Sequence, residues 1–393
     1  MSADFEEFTR AASATRGSAG PAPADLSRIA VLGGGPDARL LAALALSEGC
    51  EVTLFSAYGH ELEFLRASSG IGLRGAGPVG TYHVDREGAA VQLTAELDRA
   101  VQGAEVIFLT GPVHKQRTYA MVLADHLADG QILVLAPGRS LGAAETAWNL
   151  RLGGCRADVT LVELQGLPYW YRAEGATLHL GEAAPMAAAT LPRGREGALA
   201  SLAKVLPNIA PVDSVLASGF ADLSAAVEIP ALLMGGKGLS EGGVAVPMGG
   251  TPLPENETFA ALIGADQRRI IALLAAERRA VALAYGVRNL PQTDDWIATF
   301  AGAERGSAAR PVPDTDTARM MMRDGVIGSL APLASAAQSA GVPVPQTQAL
   351  MALVSGVLDA DVAAAGRGLH TMGLSGSADD IRRAMDALTP GGR

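Results

Sequence analysis

Short apolar runs alternate with helical segments along the first half of the chain. Residues 28–32 form an apolar run typical of a strand buried on both faces, residues 37–46 are rich in Ala and Leu, and residues 51–55 form a second apolar run after Gly49. The same alternation continues through the segments AEVIFLT, QILVLAP and ADVTLVEL. Strands that alternate with helices predict an α/β fold built on a doubly wound parallel sheet with right-handed crossovers.

The pattern changes after about residue 213. Strand-like runs disappear, and segments such as QRRIIALLAAERRAVALAYG carry apolar residues at helical spacing. Residues 1–25 are rich in Ala, Ser, Gly and Pro without periodicity, which predicts a flexible leader. We therefore expect an N-terminal α/β domain over residues 26–212 and an all-helical domain over residues 213–393. The ligand site is expected between the two domains, and the apolar surplus of the helical domain favours a homodimer.

Composition narrows the function classes. The chain is 49% hydrophobic and 18% charged, with a mean hydropathy of +0.22, so it can bury large cores. Its net charge of −10, without a basic patch, does not favour partners such as nucleic acid or an anionic membrane. The acidic start MSADFEEF does not resemble a signal peptide, and the uncharged residues 325–358 contain prolines typical of buried helices.

The chain has two cysteines, Cys50 and Cys155, and six histidines without metal-ligand spacing. Two cysteines provide neither a disulfide framework nor a metal cluster. We therefore expect a cytoplasmic protein without a bound metal.

A glycine-rich turn follows the first strand and opens the first helix. It fits the pattern G-x-G-x-x-G/A, in which the first glycine allows the tight turn, the second lets a pyrophosphate approach the backbone, and the last residue lets helix and strand pack closely. This context predicts a Rossmann-type dinucleotide site, with the phosphates at the helix N-terminus. The predicted turn residues are Gly33, Gly34, Gly35, Pro36, Asp37 and Ala38.

The residue at the end of the second strand bears on the choice of cofactor. NAD-binding sites usually have Asp or Glu about 20 residues after the turn, whereas this chain has Ser56, and Glu51 lies at the other end of the strand. A hydroxyl without negative charge tolerates a 2′-phosphate, and His60 and Arg66 are close enough in sequence to supply positive charge. The expected cofactor is therefore NADP, with NAD as the alternative.

Segments between about residues 28 and 374 resemble the opine dehydrogenase family of the octopine and nopaline type. They are the glycine-rich turn, AEVIFLTGPVHKQR, LVLAPGRSLGA, VELQGLPYWYR and, near the C-terminus, ARMMMRDGVIGSLAPLASAAQSAGVPVPQTQAL. The resemblance implies a dinucleotide domain with a helical C-terminal domain. It also implies reduction of the imine that forms between an amine or amino acid and a 2-oxo acid.

The resemblance assigns roles residue by residue. Arg319 matches the family's carboxylate clamp, and Asp324 matches the aspartate that orients the catalytic histidine or binds the amine. Tyr169 is expected to point into the cleft. The loop beside the nicotinamide, and the segment that resembles the family's Asn-Pro-Gly-Arg-Thr-Gly, contribute the remaining expected residues: Gly111, Pro112, His114 and Gly138.

One family element is altered. The family's acid–base histidine and the asparagine before it fall on Ile229 and Ala225, neither of which carries a proton. Glu228, one residue away, is the expected substitute, because an apolar setting favours a neutral acid that can donate a proton. Alternatively, Glu228 and Asp324 stabilise an iminium ion that is already charged.

Two other functions stay open on the sequence. One is a reductase of a ketone or 2-oxo acid, like the ketopantoate and glycerol-phosphate reductases, for which Lys237 is the candidate lysine. The other is a dinucleotide-binding sensor or subunit that has lost catalysis, which the missing histidine favours.

Overall fold

A computed structural model describes residues 26–68, 70–183, 185–235, 258–300 and 310–391. The predicted leader and Lys237 lie outside these ranges. The strands of the described chain are β1 (Arg28–Leu32), β2 (Glu51–Phe55), β3 (Ile71–Gly75), β4 (Gly80–Tyr82), β5 (Val91–Thr94), β6 (Val106–Leu109), β7 (Ile132–Leu135), β8 (Thr160–Leu164), β9 (Tyr169–Glu174), β10 (Thr177–Ala183), β11 (Met186–Leu191) and β12 (Ile209–Pro211).

The helices of the first half lie between these strands, and those of the second half follow one another without strands. They are α1 (Pro36–Ser47), α2 (Gly59–Ala67), α3 (Leu97–Val101), α4 (Gln116–Leu123), α5 (Gly142–Leu152), α6 (Gly197–Leu202), α7 (Val215–Ala221), α8 (Ser224–Met234), α9 (Ala265–Ala284), α10 (Thr293–Phe300), α11 (Thr315–Gly325), α12 (Ala331–Ala340), α13 (Pro345–Leu358) and α14 (Ala378–Asp386). Short 3-10 turns lie at Val113–Lys115, Phe259–Leu262 and His370–Met372, and a π-helical turn joins α11 to α12 at Val326–Leu330.

The main sheet has eight strands in the order β12-β11-β8-β7-β6-β1-β2-β5. All neighbouring pairs are parallel except β11 with β8. Apolar strands suit this position because both faces are covered, and β6 is buried along its whole length. The predicted Rossmann-type α/β fold with a helical C-terminal region is confirmed, with one antiparallel strand that the pattern did not indicate.

A second sheet, which the apolar pattern did not reveal, has the order β4-β3-β10-β9. Its central pair is parallel and joins Gly72 to Thr177, far apart in the chain. The sheet packs beside the dinucleotide turn, because Leu73 and Leu178 belong to the same hydrophobic cluster as Leu40 of α1.

The hydrophobic core continues across the predicted domain boundary at residues 212 and 213. Leu32 and Leu161 of the main sheet share one cluster with Phe220 of α7 and Leu333 of α12. The first helix after the boundary therefore packs on the sheet, and the exact boundary stays a prediction.

By length and composition, Val215–Met234 could cross a membrane, but 94% of the apolar window is buried inside the protein. Core helices of folded proteins pass the same test, so this is weak evidence for a span. Val326 and Leu330, within the uncharged stretch, are likewise buried.

Candidate functional site

The carboxyl ends of β1 and β6 define the site. After β1 the chain forms β2 and β5 on one side of β1 and then crosses to form β6 on the other side. The direction in which strands are added therefore reverses between β1 and β6. Ligands of open α/β sheets bind at such a switch point. Gly33, directly after β1, has φ +129°, and a Cβ there would lie 2.3 Å from Oγ1 of Thr110, directly after β6. Only glycine fits this contact between the two loops.

The glycine-rich turn has the geometry for a dinucleotide pyrophosphate. Gly35 is the N-cap of α1 and has no side chain to cap the helix. The space beside it is open, because a Cβ at this position would have no atom within 4 Å. The first N–H groups of α1 therefore stay available to an anion. Pro36 starts the helix without needing a donor, and Ala38 is fully buried. These residues fit a bound nicotinamide dinucleotide.

Asp37 is the one turn residue whose charge does not suit a pyrophosphate. Its carboxyl accepts a hydrogen bond from Tyr171, and burial raises the pKa of Asp37. Burial and the neighbouring Asp37 charge hold the pKa of Tyr171 well above its ordinary value. The turn therefore has a hydroxyl-bonded acid that ionises less readily than a free aspartate.

A carboxylate occupies the predicted ribose position. Ser56 is buried and donates to Oε2 of Glu61, which lies in the first turn of α2. A Cβ on Gly34 would lie 2.1 Å from the same oxygen, so the Glu61 side chain spans the space between the turn and the end of β2. Sequence reasoning looked for the acid at the strand end and missed it five residues further on.

The predicted positive charge around Ser56 is not found where the sequence placed it. Arg66 forms an ion pair with Asp85 at 2.7 Å, and the exposed His60 lies beside Tyr58, with ring centroids 5.9 Å apart. The expectation of NADP, which relied on an uncharged Ser56 with basic neighbours, therefore lacks its physical basis.

The loop after β6 brings two predicted residues together. Gly111 has φ +90°, and the chain turns through Pro112 into the 3-10 turn that carries His114. Asp324, near the end of α11, accepts from the backbone N–H of Val113 at 3.3 Å and lies 3.5 Å from Nδ1 of His114. Among the expected catalytic residues, this is the pair in direct contact.

Arg319 and Asp324 lie on one helix but on different faces. A separation of five residues rotates the two side chains by about 140° about the helix axis. Arg319 is half-buried, and within the described ranges it forms no hydrogen bond or ion pair. Its guanidinium can therefore take a carboxylate from solution.

Glu228 does not fit the role of a neutral proton donor. Its carboxylate, with 9% of the side chain exposed, accepts from Nη2 of Arg310 at 2.7 Å. This corrects the sequence interpretation, since the surroundings of Glu228 are not only the apolar residues of α8.

Tyr169 is also not in the cleft. It is buried in the hydrophobic cluster that includes Leu178 and Leu180, and burial raises the pKa of Tyr169. Tyr171, two residues along β9, reaches the dinucleotide turn instead. Residues two apart on a strand lie on the same face, but their surroundings can differ near the edge of a sheet.

Arg139, which the sequence analysis missed, lies among the acidic residues of the site. It has φ +58° and donates to Oγ of Ser224 at the start of α8. Burial lowers the pKa of Arg139, but the charges of Asp222, Glu228 and Asp324 outweigh it and raise the pKa overall. Predicted Gly138 precedes it, and its N–H donates to the Leu164 carbonyl at 2.7 Å.

A π-helical turn joins the helical region to both loops. Pro332 has no N–H to offer the carbonyl of Gly328, four residues earlier, and Ser140 N donates to that carbonyl instead at 2.8 Å. A Cβ on Gly328 would lie 2.9 Å from Val113, so glycine permits the close approach. Asp324 lies two residues before this distorted segment.

Arg367, which is fully buried, connects the same loops to the C-terminal part of the chain through hydrogen bonds. It donates to the carbonyls of Gly138 (2.7 Å) and Ser140 (3.1 Å), to the Gln116 side chain, and to Glu145 at 2.8 Å. No local sequence pattern indicates this residue, because all its partners come from another part of the chain.

Glu163 lies beneath this segment and forms no ion pair among the described residues, although the charge of Arg367 acts on it. It accepts from Ser218 at 2.6 Å and from the N–H of Ala143 at 3.0 Å, and a Cβ on Gly138 would lie 2.7 Å from its Cγ. Complete burial raises the pKa of Glu163 to about 7, although both hydrogen bonds act in the other direction. The carboxyl therefore titrates in the physiological range.

This raised pKa predicts a pH-dependent stability. As pH rises from about 4.5 to about 7, the folded protein keeps a proton on Glu163 that the unfolded chain releases. The free energy of unfolding should fall over this window, by about 3 kcal/mol from this group, with stability retained below pH 4.5. Urea unfolding at pH 5 and pH 8 should show this loss in the wild type and a smaller one in Glu163→Gln. Equal losses in the two proteins would contradict the prediction.

Taken together, the switch-point turn, the adjacent loop and the helical region that supplies Asp324 define an NAD(P)-dependent oxidoreductase. The chain is 29% identical to the opine dehydrogenase of Arthrobacter sp. (strain 1C) over 374 residues, which cover 91% of this chain and 98% of the relative. It is 26% identical over 377 residues to Protein ocs of Agrobacterium tumefaciens (strain Ach5), covering 92% and 100%. The resemblance to the opine dehydrogenase family that the sequence segments predicted is confirmed.

Solved structures share the fold. Octopine dehydrogenase with NADH and L-arginine superposes with a TM-score of 0.65 at 17% identity, covering 92% of this chain and 98% of that one. Yersinopine dehydrogenase with NADP+ superposes with a TM-score of 0.60 at 14% identity, covering 93% and 99%. No family model matches the sequence.

Proposed function

We propose that the protein uses a reduced nicotinamide dinucleotide to reduce the imine formed from an amine and a 2-oxo acid. The observation that carries the proposal is the contact of Asp324, from the helical region, with the loop carrying His114 beside the dinucleotide turn. This contact supports the proposal because it joins Asp324, assigned to the substrate side, to the loop assigned to the nicotinamide side. The relatives named opine dehydrogenase and octopine dehydrogenase support the same chemistry.

Different residues of the chain bind the two substrates of the proposed reaction. The bound dinucleotide supplies the hydride. The open N-terminus of α1 holds the pyrophosphate, and Gly33 lets the loops meet around it. Arg319 clamps the carboxylate of the 2-oxo acid portion through its planar fork.

Turnover with pairs of substrates tests this function. NADH oxidation should require both an amine and a 2-oxo acid, and mass spectrometry should find a secondary amine that joins the two. Oxidation with the 2-oxo acid alone would indicate a ketone reductase instead. Absence of oxidation with every pair, together with measurable NADH binding, would indicate a protein that binds the dinucleotide without catalysis.

We further propose NAD rather than NADP as the cofactor, in place of the first expectation. The Glu61 carboxylate between Ser56 and Gly34 suits the two ribose hydroxyls as a hydrogen-bond acceptor and repels a 2′-phosphate.

NADH should accordingly bind at least about tenfold more tightly than NADPH, as measured by nicotinamide fluorescence. Glu61→Gln should remove most of this preference, because the amide repels no phosphate. Glu63→Gln, an exposed residue on the same helix, is the matched control and should leave the preference unchanged. Equal binding of the two cofactors by the wild type would refute the assignment.

A further inference from the structure

The position beside Asp324 that would hold the family's histidine is filled by apolar side chains. A Cβ on Gly325, the next residue, would lie 3.1 Å from Cδ1 of Ile229 and 3.2 Å from Cβ of Ala225. These are the two positions where the resemblance expected histidine and asparagine. Because α8 packs its apolar side chains directly against α11 there, no group on that wall can share a proton with the aspartate.

A histidine contacts the same aspartate from the opposite wall. Nδ1 of His114 lies 3.5 Å from Oδ1 of Asp324, while the other carboxylate oxygen accepts from Val113 N at 3.3 Å. The backbone contact fixes the carboxylate relative to the histidine's own turn. A carboxylate beside Nδ1 orients the ring and directs Nε2 away from itself.

Other proton-bearing side chains around this cleft are already engaged with partners. Glu228 is paired with Arg310, the Tyr171 hydroxyl donates to Asp37, and Nζ of Lys115 donates to the Tyr58 hydroxyl at 2.8 Å. Within the described part of the chain, Nε2 of His114 has no such partner, and 35% of the side chain is exposed. Solvent can therefore reprotonate the ring after it gives up a proton.

We propose that His114 is the proton donor of the reaction and that Asp324 is its positioning residue, so that the acid–base histidine comes from the dinucleotide side of the cleft. The inference rests on the proposed function. As the imine carbon accepts a hydride from the reduced nicotinamide, the C=N π electrons move to nitrogen, which takes the proton from Nε2. The products are a secondary amine, oxidised nicotinamide and a neutral imidazole, which regains a proton from water.

Substitutions at the two residues test the assignment on an active amine and 2-oxo acid pair. His114→Gln should lower kcat by about 10²- to 10³-fold, with KM for the 2-oxo acid and the Kd for NADH within about threefold of wild type. Asp324→Asn should lower kcat less, because it only weakens the orientation of the ring. The matched control is His126→Gln, since Nδ1 of His126 also contacts a carboxylate, Asp98, at 2.6 Å. This control should keep wild-type turnover.

Chemical rescue separates proton donation from a structural role. Free imidazole should raise the turnover of His114→Ala at least about tenfold and leave the wild type unchanged, because only a missing proton donor is replaced by a soluble one. A full kcat in His114→Gln, or a loss that imidazole does not restore, would overturn the inference while the wild type stays active. A wild type inactive with every pair would instead refute the proposed function, and the inference with it.

Discussion

Replacing Arg319 with alanine is expected to lower kcat/KM for the 2-oxo acid by about 30- to 1000-fold, which corresponds to about 2–4 kcal/mol of transition-state stabilisation. The guanidinium has no partner among the described residues, so its loss should leave the fold intact and remove only the proposed contact with substrate. Steady-state kinetics with a fixed amine and varied 2-oxo acid measure the effect, and the Kd for NADH should not change.

Two further variants define what Arg319 supplies. Arg319→Lys should not restore the rate, because an ammonium group cannot reproduce the two parallel hydrogen bonds of the fork. Arg323→Ala removes an exposed arginine four residues further along the same helix and serves as the matched control. Wild-type kinetics in Arg319→Ala would show that Arg319 is only a surface residue.

The sequence predicts the strands, helices and turns that are determined by residues close together in the chain. The strands at Arg28–Leu32 and Glu51–Phe55 and the turn between them follow from apolar runs, glycine spacing and the helix after the turn. These features depend on residues close together in the chain, so the pattern contains enough information to locate them. The family segments then supplied the positions of His114 and Asp324, which the structure brings into contact.

The missed features depend on contacts between distant parts of the chain. The second sheet pairs Gly72 with Thr177, and no local periodicity indicates such a register. Glu228 was interpreted from its apolar neighbours in sequence, whereas its partner Arg310 lies 82 residues away. Similarly, the sequence does not show that α2 brings the Glu61 carboxylate to Ser56, at the predicted ribose position.

Loss of Arg367 should lower the free energy of unfolding more than loss of another buried arginine, because its partners are buried acceptors that include a carboxylate. Arg367→Met should lower the free energy of unfolding by about 3–5 kcal/mol, since it removes the more deeply buried of the two arginines that pair with Glu145, the other being Arg117, and leaves carbonyls of the active-site segment without donors. Arg278→Met is the matched control: among the described residues this buried arginine donates only to the carbonyls of Phe220 and Pro291 and forms no ion pair. We expect the control to cost about 1–3 kcal/mol. Urea unfolding of both variants at one pH measures the difference, and equal costs would mean that the ion pair with Glu145 adds nothing to the stability of the segment.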